Sequence, residues 1–244
     1  MNCKIEKSTL NGQIICPSNK SYTHRAIFLA ALSDGKSIVK KILRSNDTIA
    51  TINACRGFGV EVEELENNVT INNTINQSVQ SSIINAENSG TTIRIAIAIA
   101  ALSGGNTTLT GDESLRKRPM QPILDALQTM GVKTESDDGK PPIHMNGKIQ
   151  GKEISINGDI SSQFISALLI IAPRLPEGLI INVEGDLVSK PYVDLTIAIM
   201  KKFGVEVKIE EKYKKYVVVH QIYKSTTFSI PSDFSNLALL LSAN

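Results

Sequence analysis

Lys20, Ser21 and Arg25 belong to the run Ser18-Asn19-Lys20-Ser21-Tyr22-Thr23-His24-Arg25, which opens directly into the apolar stretch Ala26-Ile27-Phe28-Leu29-Ala30-Ala31-Leu32. Small hydroxyl residues at a helix start leave backbone N–H groups free, the peptide dipoles add partial positive charge there, and the two basic side chains add full charges. These are the ingredients of an anion site. Ser21 and Arg25 stand four apart, so on a helix they share a face and can grip one ligand together. The same residues also describe an ordinary Ser-capped helix with solvated basic side chains, and this stretch alone does not decide between the two. Two further starts bear on the choice: Asn88-Ser89-Gly90-Thr91-Thr92 and Ser161-Ser162-Gln163 precede apolar runs of the same kind, and neither carries an acid.

A repeat would bring those starts together. Ala30-Ala31-Leu32-Ser33-Asp34-Gly35 recurs as Ala100-Ala101-Leu102-Ser103-Gly104-Gly105, and Phe58-Gly59-Val60-Glu61-Val62 returns as Met130-Gly131-Val132-Lys133-Thr134 and Phe203-Gly204-Val205-Glu206-Val207. Gly59, Gly131 and Gly204 stand 72 and 73 residues apart. Each follows an amphipathic helix, predicted over 47–56, 120–129 and 192–202, that it can close with a left-handed cap. Alternating segments at 60–65, 69–73, 107–110, 154–157, 179–183 and 216–219 read as strands. Asn67-Asn68, Asp137-Asp138-Gly139 and Pro141-Pro142 read as turns. The unit is therefore strand, buried helix, strand, amphipathic helix, strand, strand. Its first helix is apolar nearly all round and belongs inside; its second is one-sided and belongs outside. Three copies around their buried helices make an α/β domain, pseudo-threefold by expectation, whose three polar helix starts face one end and concentrate N–H donors there.

With 244 residues, 41% of them hydrophobic and 20% charged, the chain is long enough for one large globular domain or two small ones. A formal net charge of +2, 5% aromatics and no Trp argue against nucleic acid or a membrane surface as partner. Cys3, Cys16 and Cys55 are odd in number and lack ligand spacing, as do His24, His144 and His220, so buried thiols in a reducing compartment are expected and no metal. Residues 1–7 lack the apolar core of a signal peptide, and no run reaches membrane-spanning length; a cytoplasmic protein is expected. Residues 232–244 copy the start of a buried helix and stop within it, so a truncated piece of a longer protein is expected.

Pro17 to Arg25 closely resembles the N-terminal motif of the EPSP synthase (3-phosphoshikimate 1-carboxyvinyltransferase) family of enolpyruvyl transferases. Asn88-Ser89-Gly90-Thr91-Thr92-Ile93-Arg94 is similar to its Asn-x-Gly-Thr-x-x-Arg loop, and the segment from Gly111 to Met120, with Arg118-Pro119, to its Arg-Pro loop. Ser161-Ser162-Gln163-Phe164 and Val188-Ser189-Lys190-Pro191-Tyr192 match two further motifs, all in family order. The resemblance implies two domains, each of three βαβαββ units around buried helices in an inside-out α/β barrel, with the active site in the cleft between them. Residues 14–226 would be one complete domain carrying the shikimate 3-phosphate site. Residues 1–13 would be the first strand of the other domain, and 227–244 its truncated start. The implied reaction moves the enolpyruvyl group of phosphoenolpyruvate to the 5-hydroxyl of shikimate 3-phosphate and releases phosphate, a step of the shikimate pathway to chorismate and aromatic amino acids. No cofactor is implied, and the full-length protein is expected to be a monomer.

By the same resemblance Ser161, Ser162 and Ser189 bind the phosphosugar around its phosphate, and Ser21 and Arg25 its carboxylate. Lys20, Gly90, Arg118 and Gln163 contact phosphoenolpyruvate, with Lys20 and Gln163 touching both substrates and Lys20 stabilising developing charge. The general base lies in the half that this chain lacks, so the fragment alone is expected to bind weakly if at all and to turn over nothing. A glycine at 90 permits close backbone approach, and the planar fork of Arg118 suits bidentate phosphate recognition. Asp47 matches a family acid, yet it also stands where a helix N-terminus favours any acid, and the latter reading is preferred. Arg94 reads as a structural ion-pair partner, Tyr192 as packing or binding alike, and Arg116 and Lys117 as a solvated face or part of the site. The rivals are the sister transferase acting on UDP-N-acetylglucosamine, which differs at the serine motifs and uses a loop cysteine, and a non-catalytic anion-binding module on the same repeat.

Overall fold

The computed structural model describes residues 12–72 and 81–241. Cys3, Asn73 and most of the strand expected over 1–13 lie outside the described residues. In chain order the elements are α1 (Lys20–Leu32), β1 (Lys36–Lys40), α2 (Asn46–Gly57), β2 (Glu61–Leu65), β3 (Asn68–Asn72), β4 (Ser81–Asn85), α3 (Gly90–Ser103) and β5 (Asn106–Thr110). There follow α4 (Gln121–Thr129), β6 (Lys133–Asp137), β7 (Lys140–Asn146), β8 (Glu153–Asn157), α5 (Ser162–Ile171) and β9 (Leu179–Glu184). Last come α6 (Pro191–Lys202), β10 (Lys208–Glu211), β11 (Lys215–Val218), β12 (Thr227–Ser229) and α7 (Phe234–Leu241).

The strands form three four-stranded sheets of one design: β12-β1-β3-β2, β4-β5-β7-β6 and β8-β9-β11-β10. In each, a leading strand pairs parallel with the strand that follows its buried helix, and a hairpin closes the antiparallel side. A parallel pair needs a crossover between its members, and α3 joins β4 to β5 and α5 joins β8 to β9 in that way, whereas α1 precedes β1, whose parallel partner β12 returns from far along the chain. Sheet strands alternate buried and exposed residues, as in β1, β7 and β8, so one face of each sheet lies on the helices. The helices α1, α3 and α5 form the interior: Ile93, Ile95, Ile97 and Ile99 of α3 are all buried, each contributing about 1.5–3 kcal/mol of transfer free energy. The expected caps are present, since Gly59, Gly131 and Gly204 all adopt φ between 81° and 85° just beyond α2, α4 and α6.

Two expectations are corrected. Pro141 and Pro142 lie within β7; the turn is Asp138-Gly139 alone. The sheet tolerates the prolines because the register with β6 shifts between Ser136 and Asp137, and pairing with β5 begins only at Ile143, so no ladder N–H is required of either. Second, α2 is less an outer cover than a wedge: Thr48, Ala50, Thr51, Ile52, Ala54 and Cys55 are buried as it packs on α1, α3 and β4. The position expected as a domain boundary, 226/227, falls just before β12, which joins the first sheet. Thr227, Phe228 and Ser229 pair with Ile38, Val39 and Lys40 and supply the leading strand of the first unit, the place held by β4 and β8 in the others. Beyond it α7 leaves Phe234 and Leu241 76% and 66% exposed.

Candidate functional site

Each buried helix begins with a side-chain cap. Ser89 Oγ accepts the N–H of Thr92 at 3.2 Å, and Ser161 Oγ accepts that of Gln163 at 3.3 Å. The first helix is capped by an amide and not by a serine: Asn19 Oδ1 accepts the Tyr22 N–H at 3.0 Å, while Ser18 is drawn into a bridge with Ser232. Both chemistries satisfy one of the N–H groups orphaned at a helix start. No acid occupies the first turn of α1, α3 or α5.

These starts border one cavity of about 560 Å3, within the range typical of small-molecule sites. Lys20, Ser21 and Arg25 line it from α1, Gly90 from α3, Ser161, Ser162 and Gln163 from α5, Arg118 from the loop before α4, and Ser189 from the loop before α6. All nine positions singled out in the sequence are thus brought together. Asp47, Asn88 and Tyr192 join them, with Thr91, Ile160 and Val188. Arg116 and Lys117 do not: both are exposed, Arg116 donating to the Gly111 carbonyl and Lys117 pairing with Glu113.

The lining carries three cations, Lys20, Arg25 and Arg118, against the single carboxylate of Asp47. Asp47 stands in the first turn of α2, as its helix-stabilising reading requires, and also holds Lys20 Nζ at 2.7 Å. Arg118 Nη2 donates to Asn88 Oδ1 at 2.8 Å, a neutral acceptor that orients the guanidinium and leaves its charge in place. Arg25 is 1% exposed and has no acid partner among the described residues; its acceptors are Thr196 Oγ1, Ser166 Oγ and the carbonyls of Ser21 and Tyr192. Burial pulls its pKa down to about 10, opposed by Tyr192, whose ring lies 5.9 Å away.

Arg94 corrects the ion-pair reading. Its Nη1 donates to Gln163 Oε1 at 2.9 Å, its guanidinium lies 5.2 Å from the centre of the Phe164 ring, and no acid pairs with it among the described residues. Burial, then the neighbouring Arg118, lowers it to about 10. A helix N-terminus already favours negative charge, so guanidiniums gathered there without acids leave an unmet demand for an anion. Gly90 is explained by the same pair: a Cβ there would stand 2.7 Å from Arg94 Nη1 and 2.9 Å from Arg118 Nη1. Ser189 holds a left-handed φ of 53°, uncommon outside glycine, and its carbonyl accepts the Tyr192 N–H at the start of α6.

Asn88 carried no assignment in the sequence, although it immediately precedes the cap of α3. Ser166 and Thr196 were missed as well; their signal is a hydroxyl alone among apolar residues, in Phe164–Ile171 and in Leu195–Met200. Among the described residues no helix is long and apolar enough to cross a membrane.

The chain is similar to known proteins over nearly its whole length. The family model of EPSP synthase (3-phosphoshikimate 1-carboxyvinyltransferase) matches residues 5–244. The 3-phosphoshikimate 1-carboxyvinyltransferase of Nitrosopumilus maritimus strain SCM1 is 55% identical over 243 residues, covering 100% of this chain and 58% of its own length. That of Methanothermobacter thermautotrophicus is 42% identical over 246 residues, with the same two coverages. Among solved structures, an EPSP synthase from Acinetobacter baumannii superposes with a TM-score of 0.79 at 26% identity, covering 94% of this chain and 52% of that one. The chain thus spans a little over half the length of these relatives. With the three-unit α/β fold, the motifs in order and this match over nearly its whole length, the chain belongs to the EPSP synthase (3-phosphoshikimate 1-carboxyvinyltransferase) family.

Proposed function

We propose that this chain forms the shikimate 3-phosphate half of an enzyme that transfers the enolpyruvyl group of phosphoenolpyruvate to the 5-hydroxyl of shikimate 3-phosphate. The observation that carries the proposal is the cavity where three capped helix starts and three cations meet one carboxylate. Both substrates bear a phosphate and a carboxylate, and only a site with excess positive charge holds them together without mutual repulsion. Ser161, Ser162 and Ser189 receive the phosphosugar's phosphate, Ser21 and Arg25 its carboxylate, and Lys20, Gly90, Arg118 and Gln163 the phosphoenolpyruvate. In the transfer, the 5-oxygen forms a bond to the enolpyruvyl carbon, the bond from that carbon to the phosphate oxygen breaks, and the hydroxyl proton leaves to a base. Lys20 and Arg118 meet the charge that develops on the departing phosphate. Asp47, held at 2.7 Å by Lys20, is poorly placed as that base. We assign the base to the part of the relatives' length that this chain does not span.

The reading extends to organisation. We infer that the three-unit body is one domain and that the chain leads out of it twice, side by side: Asn19 N–H donates to the Pro231 carbonyl at 2.9 Å and Asp233 N–H to that of Pro17 at 2.8 Å. Residues 1–13 and those beyond Pro231 then belong to the second domain. The assembled enzyme works as a cytoplasmic monomer on small phosphorylated substrates without nucleic acid or membrane, a reading in keeping with the free thiols of Cys16 and Cys55. An NMR titration of the 244-residue chain with shikimate 3-phosphate is the test. Weak saturable binding, reduced in Ser162→Ala, with no phosphate released on adding phosphoenolpyruvate, is expected. Turnover by the chain alone would overturn the assignment of the base, and absence of binding the assignment of the phosphosugar to this cavity.

A further inference from the structure

We propose that Ser166 and Thr196 are positioning residues for Arg25, holding its guanidinium aimed and fully charged for the carboxylate of the phosphosugar; this rests on the function proposed above. Arg25 reaches Thr196 Oγ1 through Nε at 2.7 Å, and Ser166 Oγ through Nη2 at 3.3 Å. Nη2 also lies 3.4 Å from the Tyr192 carbonyl, and Nη1 donates to the Ser21 carbonyl at 3.1 Å. A guanidinium has five N–H donors. Four directed contacts to neutral oxygens leave one Nη1–H for a ligand. The hydroxyls brace each other at 2.9 Å, and Thr196 is bonded a second time, at 2.7 Å, to the Tyr192 carbonyl. Both are buried to 1% or less, so water cannot replace either.

The chemistry of the acceptors is what separates positioning from plain packing. A carboxylate in place of either hydroxyl would bind the guanidinium more strongly but would cancel its charge. Hydroxyls and carbonyls fix direction and leave the charge uncompensated, at the cost of desolvation that is visible in the lowered pKa of Arg25. Since the three residues come from α1, α5 and α6, the cluster also sets the start of α1 against that of α5, where Ser161 and Ser162 lie.

The experiment compares the chain with Thr196→Val, Ser166→Ala and Thr196→Ser, titrated by NMR with shikimate 3-phosphate and, separately, with inorganic phosphate. Thr196→Val and Ser166→Ala are expected to weaken shikimate 3-phosphate about tenfold, the scale of one hydrogen bond to a buried charge. Inorganic phosphate, which probes the serine end, is expected to bind as before, and Thr196→Ser to restore affinity. The Arg25 Nε–H, bonded to Thr196 Oγ1, is expected to give a slowly exchanging resonance that disappears in Thr196→Val and persists in Thr196→Ser. Equal loss for both ligands would show a merely structural role and overturn the proposal, as would unchanged affinity with the resonance retained. If Thr196→Val does not fold, Ser166→Ala and Thr196→Ser carry the same comparison. Failure of the unsubstituted chain to bind shikimate 3-phosphate would instead sink the underlying function, and this inference with it.

Discussion

Gly90 shows how much a missing side chain accomplishes here. Its Cβ would collide only with the guanidinium ends of Arg94 and Arg118, not with backbone, so Gly90→Ala should fold with thermal stability within about 1 kcal/mol of the parent, alanine being the better helix former. The cost should fall on ligand: phosphoenolpyruvate affinity should drop while shikimate 3-phosphate binds as before, which paired titrations can check. His24 makes a different prediction. Buried, with Nδ1 2.6 Å from Thr51 Oγ1, it is pulled down to about 3, mainly by burial, with Asp47 opposing and Arg25 and Lys20 assisting. Between its unfolded value of 6.5 and that folded value the unfolded chain binds the extra proton, so stability is full above pH 6.5 and falls as pH drops toward 3. By pH 4.5 the loss from this residue should be roughly 2–3 kcal/mol. Denaturant unfolding at pH 7 and pH 4.5 should show a smaller difference in His24→Asn than in the parent; equal differences would exclude His24 as the cause.

Among the elements, the helix starts decide how the site is built. Ser89 accepts from Thr92 twice, from its N–H and from its hydroxyl at 2.7 Å, and the Thr92 hydroxyl continues to Thr51 at 2.7 Å and so to His24. That buried chain ties α3, α2 and α1 together. Ser89→Ala should therefore cost more than the ~1 kcal/mol of an isolated cap, with a double-mutant cycle against Thr51→Val revealing coupling of about 1 kcal/mol. Additive effects would show that the chain is only a row of independent bonds. These three starts were legible in the sequence because caps follow local rules. The amide cap of α1 and the wedge-like burial of α2 were not, because they depend on Ser232 and β4, which lie far along the chain.

For the molecule as a whole, β12 is the telling strand. Phe228 lies 6.0 Å from Phe203, ring to ring, and Ile230 is buried. A chain ending at residue 226 would leave β1 as an open edge and strip Phe203 of that contact, so it should melt well below one ending at Asp233, by several degrees in a calorimetric scan. Equal melting temperatures would show that β12 adds nothing to the stability of the body and would favour the boundary at 226/227 expected from the resemblance. Much else about the architecture was readable: the period of 72 and 73 residues, the glycine caps and the apolar helices predict the three units. A repeat is a local signal copied, so it survives without coordinates.

What the sequence by itself determined is therefore the inventory: three equivalent helix starts without an acid, a glycine at 90 that permits close approach, and membership of a family through motifs in order. Each depends on residue type and short spacing. Only the tertiary structure decided the partnerships. Arg25 meets oxygens of residues 141 and 171 positions away, Arg118 finds Asn88 thirty positions back, and β12 closes a sheet begun almost two hundred residues earlier. Hydroxyls and amides accept from any donor, and an edge strand pairs with any strand of suitable register. Which of them meet is therefore set by how the helices and sheets pack, and the charge left over in the cavity is a property of that packing.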